Sequence, residues 1–420
     1  VSGERRVDVL VVGAGPAGLA AAAALARAGA GRRIEVLDRE QRAGGVPRHC
    51  AHGGFGPWPH PLTGPEYARR LTEAALRAGA VVRTGVSALD WAGPLTLGAV
   101  GPEGTEAITA RAIVLATGAR ERPRAARLVP GTRPAGVLTT GELQQAVHLH
   151  GQRIGTRAVI VGAEDVSYAA AGTVRAAGAD VVAMVTELPR AQTAPARALD
   201  ARLRRGVPLL TGTTVTELLG RGRLSGVRIR HRDGRSATLR CDTVVFTGDF
   251  VPEHELARRG GFALDPGTRG PAVDGALRTG RPGVFAAGNV LHAVERAATA
   301  AREGAHVART VRAWLARAEW PAGVPLLADP PLRWIAPNRV TPGDRHPYVL
   351  RTSAPLPRLV LTVIQDGRPL YEARIGPALP NRTLNLTARW TRHVDPDGGP
   401  VRVRAGACRP DGPGREALRP

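Results

Sequence analysis

Residues 7–12 read VDVLVV, an apolar run of the length of one buried strand. GAGPAG follows at 13–18, an Ala/Leu helix at 19–28, and a second short apolar run, IEVL, at 34–37. Together they make one βαβ unit. Residues 41–64 are rich in Gly, Pro and His and predict a long covering loop. Helical spacing returns at 66–78, a strand is expected at 81–86, a meander of short strands at 89–110, and a buried strand at 112–116 that ends in Thr117-Gly118. The order then restarts. A strand at 158–161 precedes Gly162 and a helix over 166–177; a strand at 181–185, a helix near 196–205 and a meander over 215–239 follow, and the strand 243–246 again ends in Thr-Gly. This is an architectural duplication rather than a close sequence repeat. A strand at 283–287 and a long Ala/Arg helix at 294–316 come next. The Pro-rich stretch 320–333 reads as a linker. Beyond it, two apolar runs flank Asp366-Gly367, a hairpin signal, and 383–390 and 401–403 also read as strands.

This pattern predicts an α/β chain with two Rossmann-like domains, one inserted in the other, and a small C-terminal all-β domain. The expected divisions are 1–150 and 251–320 for the two parts of the first domain, 151–250 for the inserted one, and 331–420 for the last. A length of 420 residues allows two to four domains. Aromatics are only 4% of the chain, so Ala, Val and Leu must build the cores.

The formal charge of +22 suggests nucleic acid at first sight. The chain contains no Lys, however, and its Arg residues are scattered from Arg5 to Arg419 rather than gathered into a patch. Compositional bias explains the charge better, leaving a general attraction for anionic small molecules. Three cysteines, Cys50, Cys241 and Cys408, make no disulfide framework and point to a reducing, cytoplasmic setting. The uncharged run 9–26 after Arg5 and Arg6 imitates a signal peptide. Its Gly-Pro-Ala-Gly turn and Ala/Gly content argue against that, and no stretch is apolar enough to predict a membrane span. His148 and His150 lack a third ligand at metal spacing, so no metal is expected.

Gly13, Gly15 and Gly18 form a G-x-G-x-x-G turn between strand and helix. Gly13 permits the tight turn, Gly15 lets a pyrophosphate approach the backbone, and Gly18 allows close helix–strand packing. The helix N-terminus then offers free N–H groups and the positive end of its dipole. Asp38 lies 20 residues after Gly18, where an acid meets the ribose hydroxyls of a bound dinucleotide.

The order DVLVVGAGPAGLAAA, VLDREQRAGG, IVLATGARERP and VFAAGNV resembles FAD/NAD(P)-dependent oxidoreductases of the pyridine nucleotide-disulfide reductase superfamily, over about residues 5–315. GGVPRHC and GTRPAGVLTTGELQQ resemble the branch of the FAD subunits of opine, proline and cyanide-forming amino-acid dehydrogenases. The resemblance implies that Gly13, Gly15, Pro16, Ala17 and Gly18 hold the FAD pyrophosphate. It places Asp38 and Arg39 at the adenosine, Gly44 and Gly45 over the ribityl and flavin region, and the Val86 backbone at the adenine. Ala116, Thr117 and Gly118 mark the crossing near the cofactor, and Gly288 and Asn289 the ribityl chain. Most members have Asp where this chain has Asn289. The helix that follows would point its N-terminus, near Glu295 to Ala298, toward the flavin pyrimidine.

The departures are informative. The C-x-x-x-x-C pair of the disulfide reductases is replaced by Pro47 and His52, and no C-x-x-C occurs in the chain. Near the expected flavin face stand Arg48, His49, Cys50 and His52. Either histidine can take a proton during hydride transfer, and Arg48 can clamp a carboxylate; equally, all three can simply hydrogen-bond the loop backbone. In the second domain the site reads Gly162-Ala163-Glu164-Asp165-Val166-Ser167, with one glycine left and two acids that repel a pyrophosphate. Glu187 remains available to a ribose. NAD(P) binding there is therefore doubtful.

The reading is an FAD-dependent oxidoreductase that takes hydride from a small amino acid, amine or hydroxy acid and passes electrons to an external acceptor. An NAD(P)H-dependent reductase serving a partner protein is one alternative. A non-catalytic flavoprotein subunit or scaffold is the other. A second subunit or electron-transfer partner is compatible with each.

Overall fold

The computed structural model describes residues 3–407 apart from 30, 57 and 58. Cys408 and the segment after it lie outside the described residues. Two compact units are present, Val1–Trp320 and Pro321–Pro420.

The first unit opens on β1 (Glu4–Val12), α1 (Pro16–Ala28), β2 (Ile34–Asp38), α2 (Gly64–Arg77) and β3 (Val81–Thr84). β4 (Ser87–Gly93), β5 (Thr96–Gly101) and β6 (Gly104–Leu115) follow. The sheet runs β3-β2-β1-β6-β5-β4, and the strand Val284–Ala286 joins it on β6. β1, β2, β3, β6 and Val284–Ala286 are parallel, whereas β4 and β5 are antiparallel neighbours. The predicted meander end and the strand at 112–116 are one strand. β6 pairs with β5 through its first half and with β1 along most of its length, so no turn was needed at Arg111.

β1 is buried from Val9 to Val12, as a central strand covered on both faces must be. Removing the side chain of a residue such as Leu10, which is fully buried, costs about 2–5 kcal/mol. α1 starts at once after Gly15 because Pro16 sits at its first position, where a missing N–H costs nothing. Its run of Ala and Leu propagates the helix. Small side chains also let another helix come close. α4 (Ala297–Arg317) does so, with Gly304 against the turn of α1 that begins at Ala17.

The chain leaves the first sheet through Ala119–Glu121 and returns through Phe250–Pro252, and these two segments pair as an antiparallel ribbon. Between them lies a second parallel sheet, in the order Leu209–Leu210, Asp180–Val185, Arg157–Val161, Thr243–Phe246, Val137–Thr139. α3 (Asp165–Ala176) follows Arg157–Val161, and a three-stranded antiparallel sheet spans Thr213–Arg221, Arg223–His231 and Ser236–Leu239. One Rossmann-like domain is thus inserted in the other. The crossing comes earlier than residue 150, because Val137–Thr139 already belongs to the second sheet. Three residues are too few to display an alternating pattern.

The C-terminal unit contains two sheets. One is ordered Arg339–Val340, Val324–Ala328, Val401–Ala407, Leu359–Gln365, Arg368–Ile375, and the other Leu332–Ala336, Tyr348–Thr352, Leu384–Leu386. Half of the expected linker at 320–333 is therefore strand, its prolines having hidden the alternation of VPLLA. The strand expected over 383–390 is confined to Leu384–Leu386; Arg389–His393 is a 3-10 turn that buries Trp390 against Tyr348, with ring centroids 5.2 Å apart. The Asp366-Gly367 turn has φ of 48° and 78°, the doubly left-handed form that matches hairpin twist. No helix among the described residues is long and apolar enough to cross a membrane. Among them, no group of three or more His, Cys, Asp or Glu side chains is arranged to hold a metal ion.

Candidate functional site: a dinucleotide cradle and a closed second corner

The cradle forms where β1, β6 and Val284–Ala286 end side by side. Gly13 has φ of 109°, and a Cβ there would lie 2.4 Å from the Ala116 carbonyl oxygen. A Cβ on Gly18 would lie 1.9 Å from the Gly13 carbonyl oxygen. Both positions are closed to any side chain. Gly15 is the contrast, since a Cβ there meets nothing within 4 Å. Its open side faces the entry of α1, which has neither a side-chain cap nor an acidic residue in its first turn. The N–H groups of Ala17 and Gly18 thus belong to a helix start suited to an anion.

Other loops close around this turn. Gly44 (φ 122°) donates its N–H to the Ala14 carbonyl at 2.8 Å, and a Cβ on Gly45 would lie 2.9 Å from the Gly15 Cα. Gly288 (φ 83°) abuts Ala17, to whose Cβ an added Cβ would come within 2.6 Å. Asp38 accepts the Ala14 N–H at 2.7 Å and the Glu40 N–H at 2.9 Å. Burial raises its pKa against those two bonds. Each carboxylate oxygen keeps a lone pair for a ribose hydroxyl.

Thr117 donates its hydroxyl to the Glu253 carbonyl at 2.7 Å, and Gly118 accepts the Glu253 N–H at 2.9 Å, which pins the crossing segment. Arg39 reaches Glu253 at 3.4 Å across the surface. Val86 is buried and its N–H is spent on the Asp38 carbonyl at 2.9 Å, so only its carbonyl is left for an adenine. The Asn289 amide closes its own loop. It accepts the Glu295 N–H at 2.9 Å and donates to the Glu295 carbonyl at 3.1 Å. That use explains an amide in place of a carboxylate, which has no N–H to give. α4 begins at Ala297 with Arg296 as its cap, within the span 295–298 where its start was expected.

The structure separates the three residues expected to do acid–base or clamping work. Arg48 donates to the Arg42 carbonyl at 2.7 Å. His52 is exposed, with Nδ1 2.9 Å from the Gly53 carbonyl and its ring on Phe55 at 5.4 Å. His49 is buried, and its pKa is pushed down to about 4 by burial and then by Arg48 and His148, so its imidazole is neutral at pH 7. Cys50 is buried too. Its thiol lies 3.4 Å from both the Val46 carbonyl and Gln144 Oε1, and burial with the nearby Glu121 pushes it up to about 12. Sequence reasoning missed Gln144 and Glu121. Glu121 accepts the N–H groups of Thr140 and Gly141 at 3.2 and 2.5 Å, anchoring the start of Thr140–Gln144 beside Cys50.

In the inserted domain the equivalent corner is filled from within. Glu164 turns its carboxylate back over the entry of α3. Oε2 accepts the Ala163 N–H at 3.0 Å, the Ser167 hydroxyl at 2.7 Å and the Thr247 hydroxyl at 3.4 Å. The Ser167 Oγ accepts the Glu164 N–H at 3.1 Å in return. A Cβ on Gly248 would lie 2.5 Å from the Glu164 carboxyl carbon, so the carboxylate is packed as well as bonded. Asp165 pairs with Arg197 and Arg296 at 3.3 and 3.7 Å and bonds Thr193. Glu187 is exposed beyond the strand end.

Residues 7–304 match the profile of the family described as "Pyridine nucleotide-disulphide oxidoreductase". The alpha subunit of the sarcosine oxidase of Corynebacterium sp. (strain P-1) is 31% identical over 292 residues, which cover 64% of this chain and 29% of that protein. The thioredoxin reductase of Mycolicibacterium smegmatis is 30% identical over 315 residues, 74% of this chain and 96% of that one. An opine oxidase subunit of Rhizobium meliloti is 27% identical over 311 residues, 67% and 58% of the two. The chain thus spans less than a third of the sarcosine oxidase subunit. The cradle fits FAD, the cofactor of this family, because its open Gly15 face, its free helix entry and the Asp38 carboxylate stand where diphosphate and ribose must go. The chain belongs to the pyridine nucleotide-disulphide oxidoreductase family.

Proposed function

We propose that this flavoprotein oxidises a small amino acid, amine or hydroxy acid, and that the electrons leave to an external acceptor rather than arriving from NAD(P)H. Glu164 carries the proposal. Its carboxylate already occupies the N-terminal corner of α3, where a nicotinamide dinucleotide would need its pyrophosphate. A phosphate brought there must displace three hydrogen bonds and approach two acidic side chains. The Cys-x-x-Cys route is closed because the chain has no such pair. The names of the sarcosine and opine oxidase relatives support an amine or amino-acid substrate, and their standing as parts of larger oxidases supports a second subunit.

FAD, when bound, supplies the hydride acceptor. The residues of this chain supply orientation and protonation. Gly13, Gly15, Pro16, Ala17 and Gly18 hold the diphosphate, with Gly44, Gly45, Ala116, Thr117 and Gly118 around it. Asp38 and Arg39 serve the adenosine, Val86 the adenine through its carbonyl, and Gly288 and Asn289 the ribityl chain. His49, neutral at physiological pH, is the group best suited to accept the proton of a substrate ammonium or hydroxyl at Nδ1 or Nε2. Arg48 keeps N–H groups beyond its bond to Arg42 with which to meet a carboxylate. His52 lies at the exposed mouth of the same loop.

The thioredoxin reductase relative, matched over 96% of its length, favours the second reading of an NAD(P)H-dependent reductase. Anaerobic titration separates the two. Sarcosine, proline, glycine or a 2-hydroxy acid should bleach the flavin absorbance while NADH and NADPH leave it intact. Bleaching by NADH or NADPH within seconds, with none by the panel, refutes the proposal.

A further inference from the structure

Residues 221–240 hold seven arginines and one acid, Asp233, and the oxidation proposed above uses none of them. Most lie in the three-stranded antiparallel sheet of the inserted domain, where Arg223–His231 runs between Thr213–Arg221 and Ser236–Leu239. Leu224, Val227 and Ile229 of the middle strand pack into the core with Val159, Val244 and Phe246. Arg228 and Arg230 alternate with them and stand exposed on the outward face. The register sets Arg228 between Glu217 and Thr238, and Arg230 between Thr214 and Ser236. Arg221 and Arg223 oppose each other at one end of the sheet, and Arg232 and Arg235 are exposed at the turn at the other end.

The fold spends only part of this charge. Arg228 pairs with Glu217, and Arg235 pairs with Asp233 at 2.7 Å. Arg223 donates to the Ile154 carbonyl at 2.6 Å. Among the described residues, Arg221, Arg230 and Arg232 make no ion pair. Arg228 and Arg230 also stand about 7 Å apart on one strand face, a like-charged spacing that weakens a sheet. An outward face needs only polar residues to fold, so the charge serves something other than stability.

We infer that this sheet face docks an acidic surface of a companion protein subunit. The inference rests on the second subunit of the function proposed above. Ser236–Leu239 is the edge of its sheet, so its outer row of N–H and C=O groups is open to a polypeptide strand, which neither nucleic acid nor lipid supplies. The exposed positions of that strand and of the middle one are Arg, Ser, Thr and Ala. None is aromatic, as a platform for unstacked bases would be, and none is a large apolar side chain that could enter a bilayer. Guanidinium forks and hydroxyls match carboxylates instead. A second copy of this chain would bring the same positive face and a net charge of +22, and is repelled.

The probe is a fluorescein-labelled peptide of alternating Glu and Thr, which presents its carboxylates on one side when extended. The full-length holoenzyme is titrated into it at physiological salt, and anisotropy gives the Kd. R228Q/R230Q/R232Q should raise that Kd about tenfold and flatten its salt dependence. R202Q/R204Q/R205Q, which removes three exposed arginines of the same domain around the end of Pro195–Leu203, should change it by less than about twofold. Arg230→Gln alone serves if the first variant does not fold, with an expected rise of about threefold. Equal losses in the two triple variants overturn the inference, because the attraction then belongs to the net charge. So does a DNA duplex or a phosphatidylglycerol vesicle whose binding falls further than the peptide's in the face variant. Flavin bleaching by the substrate panel is read on the same proteins. It should be unaltered in both triple variants, and its failure in the wild type counts against the proposed oxidation and not against the docking face.

Discussion

A methyl group added at position 18 would lie 1.9 Å from the Gly13 carbonyl oxygen, well inside any tolerable contact. Gly18→Ala must therefore push α1 away from the strand end, and purified protein should lose most of its FAD absorbance while far-UV dichroism stays helical. The other residue-scale predictions concern protons. The lowered pKa of His49 means that the unfolded chain binds a proton that the native one refuses between about pH 6.5 and about 4. Stability contributed by neutral His49 is complete above that window and is lost as pH falls through it, by about 3 kcal/mol. His49→Gln should flatten denaturant-unfolding stability across this range, and an unchanged acid slope would count against the assignment. Cys50, with its thiol pushed up to about 12, should resist alkylation in native protein at pH 8 when adducts are mapped by mass spectrometry.

At the scale of elements, the entries of α1 and α3 contrast. Both follow a parallel strand and a left-handed glycine, Gly13 or Gly162. One entry is capped by a bare glycine and left to a ligand; the other is capped by a glutamate that brings its own anion. This contrast was partly legible beforehand. Gly13, Gly15, Gly18 and Asp38 could be read because backbone geometry there admits few residue types. The two acids at 164 and 165 suggested repulsion, but not that the Glu164 carboxylate would fold back onto Ser167 and Thr247, which are 80 residues apart in sequence. The buried contacts of Glu303 with the Gly288 N–H and with His292 were not legible either, because they form only once α4 packs in place. The loop at 41–64 has no hydrophobic period, so nothing could separate buried His49 from exposed His52. α4 yields the prediction at this scale. Gly304→Val, against the Ala17 carbonyl, should lower Tm and release FAD together, whereas Arg317→Ala, at the exposed last turn, should do neither.

Over the whole molecule, the two compact units each enclose a core, the second around Tyr348, Leu361, Val363, Trp390, Val401 and Val403. Leu361→Ala should cost that unit about 2–5 kcal/mol in denaturant unfolding. Part of the positive charge is spent in ion pairs, such as Arg402 and Arg404 on Asp329. On the function proposed above, the chain is organised as a duplicated scaffold with one helix entry open to a ligand and the other occupied by Glu164. Calorimetric titration of the wild-type holoenzyme with NADH tests that most directly. With Glu164 in the corner, no saturable binding is expected below millimolar concentration. A one-to-one isotherm with a micromolar Kd would contradict it.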